Sequence, residues 1–206
     1  MNIDHLIANN RLWAKQKTHI DPEFFKRLVS QQAPDYLWIG CSDSRVPANE
    51  IVNLDPGEMF VHRNVANQAP PQDANSLSVI HYAVHVLKVR HIIVVGHYGC
   101  GGVKAAIEST DHGLIDHWLT PIRDIAHQHR QSLSDLEETQ KLARLVELNV
   151  LAQVRNIATN PITYSAWRDD QSLTIHGWVY DLHDGLIQDL GVSISNRDDI
   201  KTLFDS

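Results

Sequence analysis

At 206 residues, 43% of them hydrophobic and 21% charged, the chain has ordinary globular composition and enough apolar material for one cored domain. A formal charge of −7 leaves no basic stripe for a nucleic acid, and no apolar run approaches the roughly 18 residues of a membrane span, so neither partner is expected. Residues 1–10 lack the basic and apolar regions of a secretory signal, and two cysteines are too few for a disulfide framework, so the expected location is cytoplasmic.

Ile3, Leu6, Ile7 and Trp13 fall at roughly helical spacing and predict an amphipathic helix. Asp21-Pro22-Glu23 supplies an N-cap, a proline at the first helical position and an acidic first turn for a second helix carrying Phe24, Phe25, Leu28 and Val29, which Pro34 ends. Residues 1–33 are therefore expected as an N-terminal helical arm on a single domain spanning 1–206. Leu12, Trp13, Phe24 and Phe25 give that arm more apolar surface than a peripheral segment needs, which points to packing on a second subunit.

Buried strands are expected over 36–40 and 58–61. Asn75 or Ser76 should cap a helix with Leu77, Ile80, Val84 and Leu87 on one side, and a strand over 92–95 follows, bounded by Gly96. Ser134 with Glu137 reads as a capping box for a long helix through Leu142, Leu145, Val146, Val150, Val154 and Ile157, ending at Asn160-Pro161. Residues 172–180 alternate as a strand, and Asp184-Gly185 marks a turn before another over 186–190. Strands separated by helices predict an α/β fold with a mainly parallel central β-sheet flanked by helices, and the last hairpin adds an antiparallel edge strand. His112, His117, His127 and His129 fall in a polar helical stretch and are expected to be solvated.

Both cysteines sit in short polar cassettes that follow an apolar run ending in glycine: Cys41-x-Asp43-x-Arg45 and His97-x-x-Cys100. In an α/β protein such positions are the carboxyl ends of buried strands, where ligands collect. Either cysteine alone reads as a small buried hydrophobe. Together Cys41, Asp43, His97 and Cys100 offer the four thiolate, imidazole and carboxylate donors of a tetrahedral Zn²⁺ site.

These two cassettes, with Gly101-Gly102 after the second and residues 61–67 between them, closely resemble the β-class carbonic anhydrases, and the resemblance runs over almost the whole chain to residues 177–180. It implies zinc-dependent reversible hydration of CO2 to bicarbonate and a proton by metal-bound hydroxide, with Cys41, His97 and Cys100 as fixed zinc ligands. Asp43 would then be a gate, drawn off the metal by the planar fork of Arg45. The backbone N–H of Gly102 is a candidate donor to substrate oxygen, and Phe60, Val65 and Tyr82 are candidates to line the CO2 pocket. Some bacterial members bind bicarbonate at a second, inhibitory site, and its residues match Trp38, Arg63 and Tyr180, with residues 46–48 as the segment that shifts. Relatives are dimers or pairs of dimers, so a homodimer or homotetramer is expected. The chain departs from those relatives in a proline-rich stretch over 68–72 and in Ser76, where a further cysteine is common. Two other readings stand beside this one: hydrolysis of carbonyl sulfide or carbon disulfide on the same scaffold, and a non-catalytic protein with structural zinc. Arg45 weighs against the last, since a structural site needs no partner for its fourth ligand.

Overall fold

The structure, a computed structural model, describes residues 3–30 and 32–204. They fall into an N-terminal unit reaching Ala33 and a main unit from Pro34 onward. The first unit holds helices Asp4–Ile20 and Phe24–Ser30. Asp21 caps the second of these as its side chain accepts from the Glu23 N–H at 3.0 Å. Trp13 meets Phe24 and Phe25 edge-on, at centroid distances of 6.3 and 5.8 Å. The longer helix buries no residue, and Leu6, Ile7 and Leu12 stay exposed.

In the main unit, among the described residues, five strands form one sheet: β1 (Tyr36–Cys41), β2 (Met59–Asn64), β3 (His91–His97), β4 (Thr174–Tyr180) and β5 (Ile187–Ile194). Their order is β2-β1-β3-β4-β5; the first three pairings are parallel and β4–β5 is antiparallel. The apolar runs of β1 and β3 are buried on both faces, as central parallel strands require. Leu37, Ile39, Ile92 and Val94 enter the larger core, whereas Trp38, Ile93 and Val95 enter a second cluster with Met59 and Ala48. Helix Glu138–Ala158 covers the larger core and packs closely on β3: a Cβ on Gly96 would come within 2.7 Å of Val150 Cγ2. No helix among the described residues is long and apolar enough to cross a membrane.

Several element ends differ from expectation. Strand β2 runs on to Asn64 and β5 to Ile194, and a helix at Arg197–Phe204 has no counterpart in the pattern of the sequence. Helix Ala74–His81 is capped by Asp73, whose carboxylate accepts from the N–H groups of Asn75 and Ser76, so neither Asn75 nor Ser76 is the cap. The Ser134–Glu137 box does not form. Ser134 ends a short helix of its own and bonds Gln131 O, while Glu137 takes the N-cap position of the long helix. His117, His127 and His129 are exposed, and His112 pairs with Glu108 at 3.3 Å.

The strand order creates the site. From β1 the chain crosses to β2 on one side, and β3 then lies on the other side of β1. The carboxyl ends of β1 and β3 therefore flank a topological switch point, the crevice where open α/β sheets bind ligands.

Candidate metal centre

Cys41 is the last residue of β1 and His97 the last of β3, and Cys100 precedes helix Gly101–Ile107 at its N-cap position. All three are buried, and one ligand atom from each lies within 4.8 Å of the others. The two sulfurs are 3.9 Å apart. Two thiolates bound to one zinc at about 2.3 Å and a tetrahedral angle would stand about 3.8 Å apart, so the pair already has the required separation.

His97 supplies the stronger sign. Its Nδ1 faces the Tyr98 carbonyl oxygen at 3.1 Å, and since a carbonyl only accepts, Nδ1 carries the proton. The lone pair is therefore on Nε2, which is buried and has no hydrogen-bond partner. An orphaned imidazole nitrogen facing two thiols, with its other nitrogen bound to a carbonyl, is the arrangement of a metal-ligating histidine. The donor set fits zinc.

The thiols share their proton unequally. The Cys100 thiol, hydrogen-bonded to Cys41 Sγ, holds Cys41 far below the ordinary thiol range against the push of burial, with help from the N–H groups of Asp43 and Ala66. The same contact and burial push Cys100 upward. The Ala66 N–H points at Cys41 Sγ from 3.4 Å. Gly102, expected as a donor toward substrate, contributes with Val103 a backbone N–H that pulls the Cys100 thiol down against that rise.

Asp43 lies at the rim of this group, outside the three-ligand set. Arg45 grips it with two parallel bonds, Nε to Oδ1 at 2.9 Å and Nη2 to Oδ2 at 2.7 Å. That grip keeps the Asp43 carboxyl well below the usual carboxylate range. Its Oδ2 remains 3.7 Å from His97 Nε2.

Of the expected pocket residues, Phe60 and Tyr82 meet at 5.8 Å between ring centroids, and Val65 packs where a Cβ on Gly102 would come within 2.7 Å of it. Trp38 and Tyr180 belong to the cluster on the second face of the sheet. Arg63 reaches the ligand segment directly, donating from Nε to Cys41 O at 2.8 Å and from Nη2 to Asp43 O.

Sequence reasoning missed Asn149 and Gln153, buried amides on the long helix that bond the loop after β2. Their signal was visible as polar residues at i and i+4 inside the apolar stripe of Leu145, Val146, Val150 and Val154.

A crevice at the β1–β3 switch point holding two thiols and an orphaned imidazole defines a metal-dependent enzyme class, and the carbonic anhydrase family matches residues 36–187. The chain belongs to this family, in its β class, whose members are zinc enzymes. It is 48% identical over 190 residues to a carbonic anhydrase of Emericella nidulans, covering 92% of this chain and 83% of that protein. A carbonic anhydrase of Candida albicans is 37% identical, over 98% of this chain and 72% of that one. Among solved structures, a Coccomyxa β-carbonic anhydrase in complex with acetazolamide superposes with a TM-score of 0.94 at 37% identity, covering 98% of this chain and 91% of that one. A tetrameric β-carbonic anhydrase from Sordaria macrospora gives 0.90 at 39% identity, over 93% and 98%.

Proposed function

We propose that this carbonic anhydrase hydrates CO2 at a zinc held by Cys41, His97 and Cys100, with Asp43 as a gate that Arg45 keeps off the metal. The observation that carries the proposal is the orphaned Nε2 of His97 facing the two sulfurs while both oxygens of Asp43 are bonded to Arg45. Zinc bound there supplies the Lewis acidity that makes a nucleophile of water near neutral pH, an effect for which carbonic anhydrases are themselves the reference case.

The protein's own groups do the rest. Asp43, kept ionised by Arg45, accepts a hydrogen bond from the nucleophilic water and orients it toward substrate. Phe60, Tyr82 and Val65 are proposed as the apolar lining for a linear, uncharged molecule, supported by the ring contact of Phe60 with Tyr82 and by the packing of Phe60 and Val65 on the larger core. The Gly102 N–H supports the Cys100 sulfur, and its role toward a substrate oxygen is part of the proposal. Both thiols must stay reduced, which suits the cytoplasm.

Bicarbonate inhibition at Trp38, Arg63 and Tyr180 extends the proposal. Arg63 gives two of its donors to the carbonyls of Cys41 and Asp43, so an anion that drew the guanidinium away would release the segment carrying a ligand and the gate. A homodimer or homotetramer is proposed, supported by the tetrameric Sordaria relative and by the exposed apolar residues Leu6, Ile7 and Leu12.

Stopped-flow CO2 hydration, measured at near-neutral and alkaline pH on protein with one zinc per chain, tests the reading. Turnover is expected. Inactivity at both pH values with zinc confirmed would leave a structural metal instead, and preferential turnover of carbonyl sulfide would move the activity to that substrate.

A further inference from the structure

We infer that Asn149 is a positioning residue for the metal centre, acting through Ala66 on the Cys41 sulfur; the inference rests on the zinc reading above. Asn149 is fully buried in the apolar stripe of helix Glu138–Ala158, where a leucine would fill the space without leaving polar atoms to satisfy. Its Nδ2 donates to Ala66 O at 2.9 Å. Its Oδ1 accepts from Gln153 Nε2 at 2.9 Å, which fixes the amide so that only Nδ2 can face the loop. Gln153 in turn accepts at Oε1 from the Ala69 N–H at 2.9 Å and from Asn156 Nδ2 at 3.1 Å. The two amides thus hold the loop after β2 at both Ala66 and Ala69.

The loop needs holding. Ala66 has φ 63° and ψ 32°, the left-handed region that residues bearing a Cβ avoid. In this conformation its N–H points at Cys41 Sγ from 3.4 Å while its carbonyl is bound to Asn149. One strained residue therefore joins the helix to a ligand sulfur. Groups that orient a metal ligand from outside the ligand set tune metal affinity as strongly as many direct contacts do, with losses of about 10–100-fold on their removal.

The test compares Asn149→Ala, Asn149→Ala with Ala66→Gly, and Val154→Ala. The last variant loosens the same helix through a fully buried side chain that makes no bond to the loop. Zinc affinity is measured by chelator competition, and the sulfur-to-metal charge-transfer band is recorded on Co²⁺-substituted protein. Asn149→Ala should weaken zinc at least about tenfold and move the band. Ala66→Gly should restore most of both, because glycine takes φ near +60° without being held there. Val154→Ala should change neither.

An unchanged affinity and band in Asn149→Ala, an equal loss in Val154→Ala, or no recovery with Ala66→Gly would each overturn the inference. If Asn149→Ala does not fold, wild-type protein loaded with ¹¹³Cd decides: a scalar coupling between cadmium and the Ala66 amide proton is expected, and its absence is decisive against the contact. Wild-type protein that takes up no metal would overturn the zinc reading together with this inference. A metal-loaded wild type with an indifferent Asn149→Ala overturns this inference alone.

Discussion

Arg45 binds Asp43 at three points, with Nε and the backbone N–H both on Oδ1 at 2.9 and 3.0 Å and Nη2 on Oδ2 at 2.7 Å. Both carboxylate oxygens are thereby committed to the arginine, although Oδ2 is only 3.7 Å from the free nitrogen of His97. On the proposed reading, this proximity is what makes Asp43 a gate, held off the metal centre by Arg45.

Removing the arginine should therefore close the site without emptying it. Arg45→Ala is expected to retain one zinc per chain, since the three candidate ligands are untouched, and to lose CO2 hydration by about a hundredfold, the order of loss for a misplaced catalytic group. Metal content by atomic absorption and turnover by stopped flow check both halves. Arg45 is mostly exposed, so its loss should change the unfolding midpoint little. Near wild-type turnover at full zinc loading would sink the gate.

A second expectation concerns Asp73 and stability. Burial pushes its carboxyl up, but the N–H and hydroxyl of Ser76 and the N–H of Asn75 outweigh this and leave it below the ordinary value of 3.8. A depressed folded-state pKa means that the unfolded chain binds protons more readily. The cap's contribution is then complete above the unfolded pKa and is lost as pH falls through the folded one. Asp73→Ala should destabilise the protein by about 1 kcal/mol at pH 7, the usual worth of an N-cap. In denaturant unfolding the gap between the two proteins should narrow as pH drops below about 4. A gap that stays constant down to pH 3 would show that the carboxylate's charge contributes nothing.

The same residue illustrates where sequence stops informing. Asp73, Asn75 and Ser76 are all good caps within four positions, and propensity does not rank them. The backbone decides, because only Asp73 is extended, at φ −79° and ψ 104°, ahead of the first helical turn. Ser134 and Glu137 satisfied a spacing rule, yet the chain there closes a separate short helix first. Strands β1 and β3 and the polar cassettes after them were legible because an apolar run ending in glycine leaves few alternatives, while β4 was legible from its alternation. Ala66 was not, since nothing in an alanine announces a left-handed backbone, and Asn149 was passed over because periodicity registers only the apolar members of a stripe.

Gly102 should tolerate no side chain. A Cβ there would come within 2.7 Å of Val65 Cγ1 and 3.2 Å of the Ala66 Cβ, so Gly102→Ala should push on the loop whose Ala66 N–H faces Cys41. The expected result is a folded protein with zinc affinity reduced about tenfold or more and a matching loss of turnover at limiting zinc. Chelator competition reads the first and stopped flow the second. Unaltered affinity would mean that Val65 swings aside without moving Ala66.

The proposed bicarbonate site makes the last prediction, and Arg63 supplies its physical route. Its fork bonds the carbonyls of Cys41 and Asp43, one residue a candidate zinc ligand and the other the proposed gate. Trp38 and Tyr180 share the cluster on the second face of the sheet, and on the proposed reading their indole N–H and phenol O–H are the neutral donors to the anion. Bicarbonate binding there would compete for the guanidinium, release the two carbonyls and loosen the turn that presents Asp43 to Arg45. Bicarbonate at mildly acidic pH should then suppress CO2 hydration with a sigmoidal dependence on its concentration. Trp38→Phe and Tyr180→Phe each remove one donor while keeping most of the ring volume, and each should raise the bicarbonate concentration for half-inhibition by about tenfold or more, the loss of one hydrogen bond to a charged ligand. Initial rates across a bicarbonate series provide the measurement. Hyperbolic inhibition, identical in the wild type and both variants, would place bicarbonate only at the metal centre.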